Sequence, residues 1–252
     1  MRKISRRIAK LCLITFATLM VFALVFFLIQ KKPKELDGKR VALIDSIGNN
    51  HIFRGSNPFV TKDKKSVFAY DELTTYFNGI LSQQGREPLQ DYYLIDVSLL
   101  DMDEYYEIEK EEKFFSEHPE YGGEMLNIST LSPSLLFERL PDSNATVRYI
   151  AKSYSLWMMS TLKKIRDMAS QQRDRPVVIY IHCNGGRDRT GLLAASYRLL
   201  FKNMNLPQVK SKNISEVGRS SEDLYNQAIY SYCLHVQSAY RKASDYCVTT
   251  TS

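Results

Sequence analysis

A cysteine at position 183 and an arginine at 189, with two glycines and a second arginine between them, are the residues of this 252-residue chain whose types and spacing best suit chemistry. The whole stretch reads Ile181-His182-Cys183-Asn184-Gly185-Gly186-Arg187-Asp188-Arg189-Thr190-Gly191. Its natural target is a phosphate. A cysteine beside arginines and a helix start is biased toward its thiolate, the nucleophilic form. Arg189 can return across the loop and grip two phosphate oxygens at once, a bidentate geometry that lysine lacks. Thr190 can donate its hydroxyl to the sulfur.

Two elements must hold this loop. Residues 177–181, after Pro176, are β-branched and aromatic and read as a buried strand; residues 191–200 combine strong helix formers with apolar residues at helical spacing. The loop therefore joins a strand end to a helix N-terminus, where unpaired N–H groups and the positive end of the helix dipole favour an anion. Gly185 and Gly186 allow the chain to curl so that successive N–H groups point inward. Asn184, Gly185, Gly186, Arg187, Asp188 and Arg189 form the substrate cup on this reading, with His182 and Thr190 in support. A buried structural cysteine followed by a helix capped with unrelated charges is the plainer reading of Cys183 and Arg189 taken alone.

His182-Cys183, five residues, then Arg189-Thr190 resembles the signature of the cysteine-dependent protein tyrosine and dual-specificity phosphatases. The resemblance extends to Ile52-Phe53-Arg54-Gly55-Ser56-Asn57-Pro58, similar to a short N-terminal segment of the dual-specificity type, and to Tyr92-Tyr93-Leu94-Ile95-Asp96-Val97, similar to a family strand that finishes in an acidic residue. It covers roughly residues 52–240. The fold it implies is α/β, a central mostly parallel sheet flanked by helices. The chemistry it implies is phosphomonoester hydrolysis through a phosphocysteine, with no cofactor and no metal.

The resemblance also calls for a carboxyl acid. Asp142 in Leu140-Pro141-Asp142-Ser143-Asn144 matches the family's acid loop, 41 residues before Cys183, although the tryptophan that commonly opens that loop is absent. Helix capping by Asp142, Ser143 or Asn144 is the competing reading. Asp188 is the rival acid: loops of the form Lys-Asp-Arg occur in family members that also take phosphoinositides, and here Arg187 stands in place of the lysine. Protein phosphotyrosine or dual-specificity substrates come first, and a membrane phosphoinositide is the alternative. A phosphate-binding pseudophosphatase is the alternative of another class, which the intact set of Cys183, Arg189 and a carboxyl disfavours.

Elsewhere, residues 67–84 read as a helix ended by Gly85, residues 101–120 as a helix with a solvated acidic face, and residues 121–140 as a turn and irregular chain. Residues 147–170 carry a long amphipathic pattern, 203–212 a connection and 220–242 a helix. Arg54 and Asp96 are assigned structural roles. His51, His118 and His235 have no ligand spacing, and Cys12, Cys183, Cys233 and Cys247 are far apart, so neither zinc nor a disulfide framework is indicated.

The net charge of +6 is unevenly placed. Residues 1–40 hold ten Lys or Arg against Glu35 and Asp37, which leaves residues 41–252 at net −2. A nucleic-acid partner is therefore not expected, since such domains concentrate positive charge on the folded surface. Residues 11–29 carry no charge and would span about 28 Å as a helix, near the thickness of a bilayer core. The expected organisation is a basic flank over 1–10, a single-pass transmembrane anchor over 11–30, a basic linker over 31–40 facing the lipid bilayer, a catalytic domain over 41–245 and a tail over 246–252. The flanking charges nearly tie on orientation. An oxidisable thiolate and the sequon Asn144-Ala145-Thr146 favour the cytosolic side for the domain.

Overall fold

Strand β7 (Val177–Cys183) runs through the middle of a five-stranded sheet, and all seven of its residues are buried. Its apolar run Val-Val-Ile-Tyr-Ile suits a parallel strand covered on both faces. The computed structural model describes residues 34–129 and 144–248. Strands β1 (Ala42–Ile47) and β2 (Asn50–Ser56) form an antiparallel hairpin, and β3 (Phe59–Lys62) pairs with β4 (Lys65–Phe68) in a separate two-stranded sheet. Helix α1 (Tyr70–Gln83), β5 (Tyr93–Ser98), α2 (Tyr105–Glu117) and the edge strand β6 (Gly123–Asn127) follow. After them come α3 (Asn144–Ser170), β7, α4 (Asp188–Phe201), α5 (Leu206–Val217) and α6 (Asp223–Ala239).

The sheet order is β1-β2-β7-β5-β6, parallel throughout except for β1 on β2. Strand alternation divides the core between two faces. Ile52, Ile95, Val97, Ile179 and Ile181 meet Met158, Leu162 and Ile165 of α3 and the apolar residues of α4 and α6. On the other face, Phe53, Leu94, Val178 and Tyr180 meet Leu73, Phe77 and Leu81 of α1, with the Phe53 and Phe77 rings stacked 4.3 Å apart. Helix α4 is buried continuously from Thr190 to Leu199, its polar Thr190, Ser196 and Arg198 included. It carries its N-terminus to the C-terminal edge of the parallel strands, where open α/β sheets bind ligands.

Several expectations need correction. The fold class is an α/β domain on a mixed sheet, and the transmembrane helix expected with it is not found among the described residues. Among the described residues no helix is long and apolar enough to cross a membrane, so the single-pass assignment is withdrawn. The residues that prompted it, 11–30, lie outside the described residues, as does Asp142. Residues 203–212 are not a connection: Asn205 caps α5 by accepting from the Gln208 N–H at 3.1 Å, with Pro207 in the first turn, where its missing N–H costs nothing. Residues 123–127 form a parallel edge strand rather than irregular chain. Cys233 and Cys247 are joined by a disulfide that ties the chain's last described turn back to α6. Their separation of 14 residues matches no motif, so the sequence carried no signal for it.

Candidate active site

Cys183 is the last residue of β7 and Asp188 the first of α4, so residues 184–187 make the whole turn between them. Three successive carbonyls in that turn are each held by a donor from elsewhere in the chain. Asn184 O accepts from the Asn57 N–H at 3.2 Å, Gly185 O from Arg40 Nη1 at 2.5 Å, and Gly186 O from Arg54 Nη2 at 2.8 Å. In a trans peptide each carbonyl is antiparallel to the next N–H. Drawing three carbonyls to the protein therefore turns the N–H groups of Gly185, Gly186 and Arg187 the opposite way, which makes an anion cup. Gly186 has φ +64°, and a β-carbon there would lie 2.3 Å from the carbonyl oxygen of Gly55, so no other residue fits.

Behind the cup lies a buried ionic network. Arg54 and Arg198 both bind Glu216: Arg54 Nη1 at 3.0 Å, Arg198 Nη1 at 3.1 Å and Arg198 Nη2 at 2.6 Å. Asn213 accepts from Arg54 at 2.9 Å and donates to the Gly191 carbonyl at 2.9 Å. Arg54 thus pairs with Glu216, while Asp96 pairs with His182. Two guanidinium groups against the one carboxylate of Glu216 leave this network net positive, which favours an anion in front of it.

His182, Asp96 and Glu111 are all fully buried, with His182 Nε2 3.0 Å from Asp96 Oδ1 and 3.7 Å from Glu111 Oε1. Burial alone would lower the imidazole pKa, but the two carboxylates raise it to about 9. Burial pushes Glu111 up to about 7 against the pull of His182. These three are the group of donors among the described residues close enough together for a metal, their ligand atoms lying within 4.8 Å of one another. In this arrangement His182 is paired with Asp96, and Glu111 faces the same ring nitrogen.

Arg189 is gripped from one side. Glu104 accepts from Nη1 at 2.5 Å and from Nη2 at 3.0 Å, Leu99 O accepts from Nη1 at 2.9 Å, and Asp101 Oδ2 lies 3.4 Å away. The Nε–H and the second Nη2–H form the opposite edge of the fork, the edge a phosphate can take in bidentate fashion. Burial raises the Glu104 pKa, but its hydrogen bonds with Arg189 outweigh that and leave the carboxyl below its usual range. Asp101 is raised, chiefly by burial.

A depression of about 490 Å³ opens over the loop, lined by Cys183, Asn184, Gly185, Arg187, Asp188 and Arg189, with Arg40, Arg219, Glu222 and Tyr225 at its sides. Asp188 Oδ2 accepts from Arg219 Nη2 at 3.0 Å and Oδ1 from the Glu222 N–H at 3.1 Å, so both oxygens tie the loop to the start of α6. Thr190 is buried, its hydroxyl without a partner among the described residues. A larger depression of about 560 Å³, lined by Ile47, Gly48, Asn49, Asn50 and residues 170–176, lies away from the loop and has no cysteine in its lining.

Sequence reasoning missed Glu104, Glu111, Arg40 and Arg219. Glu104 carried a faint signal: Asp101 and Glu104 have capping-box spacing, and Glu104 Oε2 accepts from the Asp101 N–H at 3.1 Å. Glu111 sat unmarked in an acidic helix whose other charges are solvated. Arg40 looked like one linker cation among several.

The model of the tyrosine phosphatase family matches residues 80–203, which include the loop. No curated protein matches the chain. Among solved structures, PTPMT1 is similar at 12% identity and a TM-score of 0.43, over 81% of this chain and 99% of that one. The core catalytic domain of the PP-IP phosphatase SIW14 from S. cerevisiae, in complex with citrate, is similar at 17% identity and a TM-score of 0.39, over 83% and 95%. A PTP-like phytase from Bdellovibrio bacteriovorus is similar at 11% identity and a TM-score of 0.34, over 83% and 82%.

Proposed function

We propose that the chain, whose residues 80–203 match the model of the tyrosine phosphatase family, hydrolyses phosphomonoesters through a phosphocysteine on Cys183. The observation that carries this reading is the set of three successive carbonyls held by Asn57, Arg40 and Arg54, which leaves the N–H groups of Gly185, Gly186 and Arg187 facing away from those donors, in the turn that follows the cysteine. Cys183 as thiolate attacks phosphorus in line, a P–S bond forms, and the P–O bond to the leaving group breaks. The loop N–H groups and the open edge of Arg189 hold the equatorial oxygens, whose charge must be stabilised in a loose transition state. A carboxylic acid, assigned to Asp142, gives its proton to the departing oxygen. The same carboxylate then takes a proton from water, which attacks phosphorus, breaks the P–S bond, releases inorganic phosphate and restores the thiolate.

The substrate class that fits the lining best is a small, multiply phosphorylated one, such as an inositol phosphate or a phosphoinositide headgroup. One phosphate occupies the cup and Arg189, while Arg40, Arg187 and Arg219 stand around it against only Asp188 and Glu222. Phosphotyrosine carries one phosphate and needs no such ring. The test is turnover by the full chain on a phosphotyrosine peptide, a phosphothreonine peptide, soluble inositol phosphates and phosphoinositide vesicles, with Cys183→Ser alongside. Activity on some member of the panel that Cys183→Ser abolishes is expected. Hydrolysis that survives in Cys183→Ser overturns the mechanism, and a preference for the phosphotyrosine peptide overturns the substrate class.

A further inference from the structure

We propose that the approach segment 34–40 is a working part of the active site, and that Arg40 binds a second phosphate of the substrate beside the one held by the Cys183 loop. The inference rests on the phosphatase reading and adds a specificity residue to it.

The segment is fastened to the domain at several points. Lys34 O accepts from the Thr61 N–H at 2.7 Å, the Lys34 N–H donates to Thr61 Oγ1 at 3.2 Å, and Lys34 Nζ donates to Asn57 Oδ1 at 2.9 Å. Leu36 packs against the core face that holds Phe53 and Phe77. Gly38 lies under the Tyr76 ring, where a β-carbon would stand 2.0 Å from the ring carbon Cζ. The single turn Gly38–Arg40 then delivers Arg40 to the loop. A flexible linker needs none of these contacts.

Arg40 is fixed on two of its three nitrogens: Nε lies 2.7 Å from Asp37 Oδ2, and Nη1 donates to the Gly185 carbonyl. Nη2 has no acceptor among the described residues. Of the other cations in the depression, Arg189 is held by Glu104, and Arg219 by Asp188 and the Ser220 carbonyl. Arg187 Nε is buried without a partner among the described residues. Arg40 Nη2 and Arg187 are therefore the uncommitted donors beside the cup. Arg40, held in place by Asp37 and Gly185 before the ligand arrives, binds an anion with less of the ordering penalty that a free side chain meets. The ligand chemistry is a pair of neighbouring phosphates on one small scaffold, one in the cup and one against Arg40.

The experiment uses the full chain carrying Cys183→Ser, with and without Arg40→Gln. The glutamine keeps a donor toward the Gly185 carbonyl but removes the charge. Calorimetric Kd values are compared for inorganic phosphate, a soluble inositol bisphosphate with neighbouring phosphates, and vesicles containing a bisphosphorylated phosphoinositide. Arg40→Gln should weaken the bisphosphate at least tenfold more than inorganic phosphate. A selective loss on the soluble ligand identifies a free inositol phosphate as the source, and one confined to vesicles identifies a lipid headgroup. An equal loss on all ligands means that Arg40 only braces the loop and overturns the proposal, as does no loss, or bisphosphate binding no tighter than inorganic phosphate in the parent. Turnover by the chain with Cys183 intact decides the phosphatase reading separately.

Discussion

Glu104 faces Arg189 with both carboxylate oxygens, 2.5 Å from Nη1 and 3.0 Å from Nη2, and so dictates which edge of the guanidinium is presented to the loop. The two residues are 85 positions apart, on the turn after β5 and the first turn of α4. A two-point grip leaves the guanidinium plane one orientation.

Removing that grip should damage catalysis more than folding. Glu104→Gln keeps the size but accepts through one oxygen, and displacement of a positioning group by about 1 Å can cost on the order of 100-fold. We expect kcat/KM to fall about 10- to 100-fold, with a thermal midpoint close to that of the parent. Steady-state kinetics beside a melting curve checks this, and unchanged kinetics would remove Glu104 from the site.

Arg189→Lys should be as damaging as Arg189→Ala to within about tenfold, because an ammonium satisfies either Glu104 or the phosphate but cannot offer two parallel edges. Comparing the two variants on an aryl phosphate is sufficient. A lysine variant that retained most of the parent rate would show that charge alone, without the fork, serves the site.

Much of this arrangement was legible in the sequence because the strand, turn and helix around Cys183 are contiguous. The apolar run of β7, the two glycines and the helix formers of α4 are local signals, and local signals survive in a single chain. Glu104, Glu111, Arg54 and Arg40 reach the loop from β2 or from turns and helices many positions away, so their partners depend on sheet order. Glu111 shows the limit best: its neighbours Glu109 and Glu112 differ from it only in the helix face they occupy, and only packing against β5 and β7 buries it. The disulfide was invisible for the same reason, since Cys233 and Cys247 meet only when the chain after α6 folds back.

The buried His182 cluster predicts how stability depends on pH. The imidazole pKa is raised from the unfolded value near 6.5 to about 9, so the folded state holds its proton more tightly, and that stability is present below 6.5 and lost as pH rises through 9. Glu111, raised from 4.5 to about 7, also binds its proton more tightly when folded, so stability falls as pH rises between those values. Glu111→Gln should flatten the lower of these slopes, from about 4.5 to 7, and leave a decline above it. Denaturant midpoints at intervals from pH 4.5 to 9.5 test this. An unaltered lower slope in the variant would assign the titration elsewhere.

The Cys233–Cys247 disulfide closes a short loop between α6 and the chain after it. Closing about 15 residues restricts the unfolded chain by about 3 kcal/mol. At roughly 2–4 °C per kcal/mol for a domain of this size, a Cys233→Ser/Cys247→Ser chain should melt about 6–12 °C lower. Turnover at 25 °C should persist, since Cys183 is the free thiol among the described residues. Equal melting temperatures with and without the pair would mean that the bond does not form in solution.

The two candidate acids separate by what their oxygens are already doing. Both oxygens of Asp188 accept hydrogen bonds, from Arg219 and from the N–H at the start of α6, so both are committed to fastening the loop. The proton donor we propose is therefore Asp142, two positions before α3 begins. Asp142→Asn should lose the basic limb of the pH–rate profile and slow alkyl phosphates by about 10²- to 10⁴-fold. Aryl phosphates such as p-nitrophenyl phosphate should be slowed far less, since their leaving group departs as a stable anion. Asp188→Asn should lower the rate through loss of Arg219 and the α6 cap while retaining the basic limb. Profiles of both variants on one alkyl and one aryl substrate decide the matter: loss of the basic limb in Asp188→Asn, with its retention in Asp142→Asn, would move the acid into the loop.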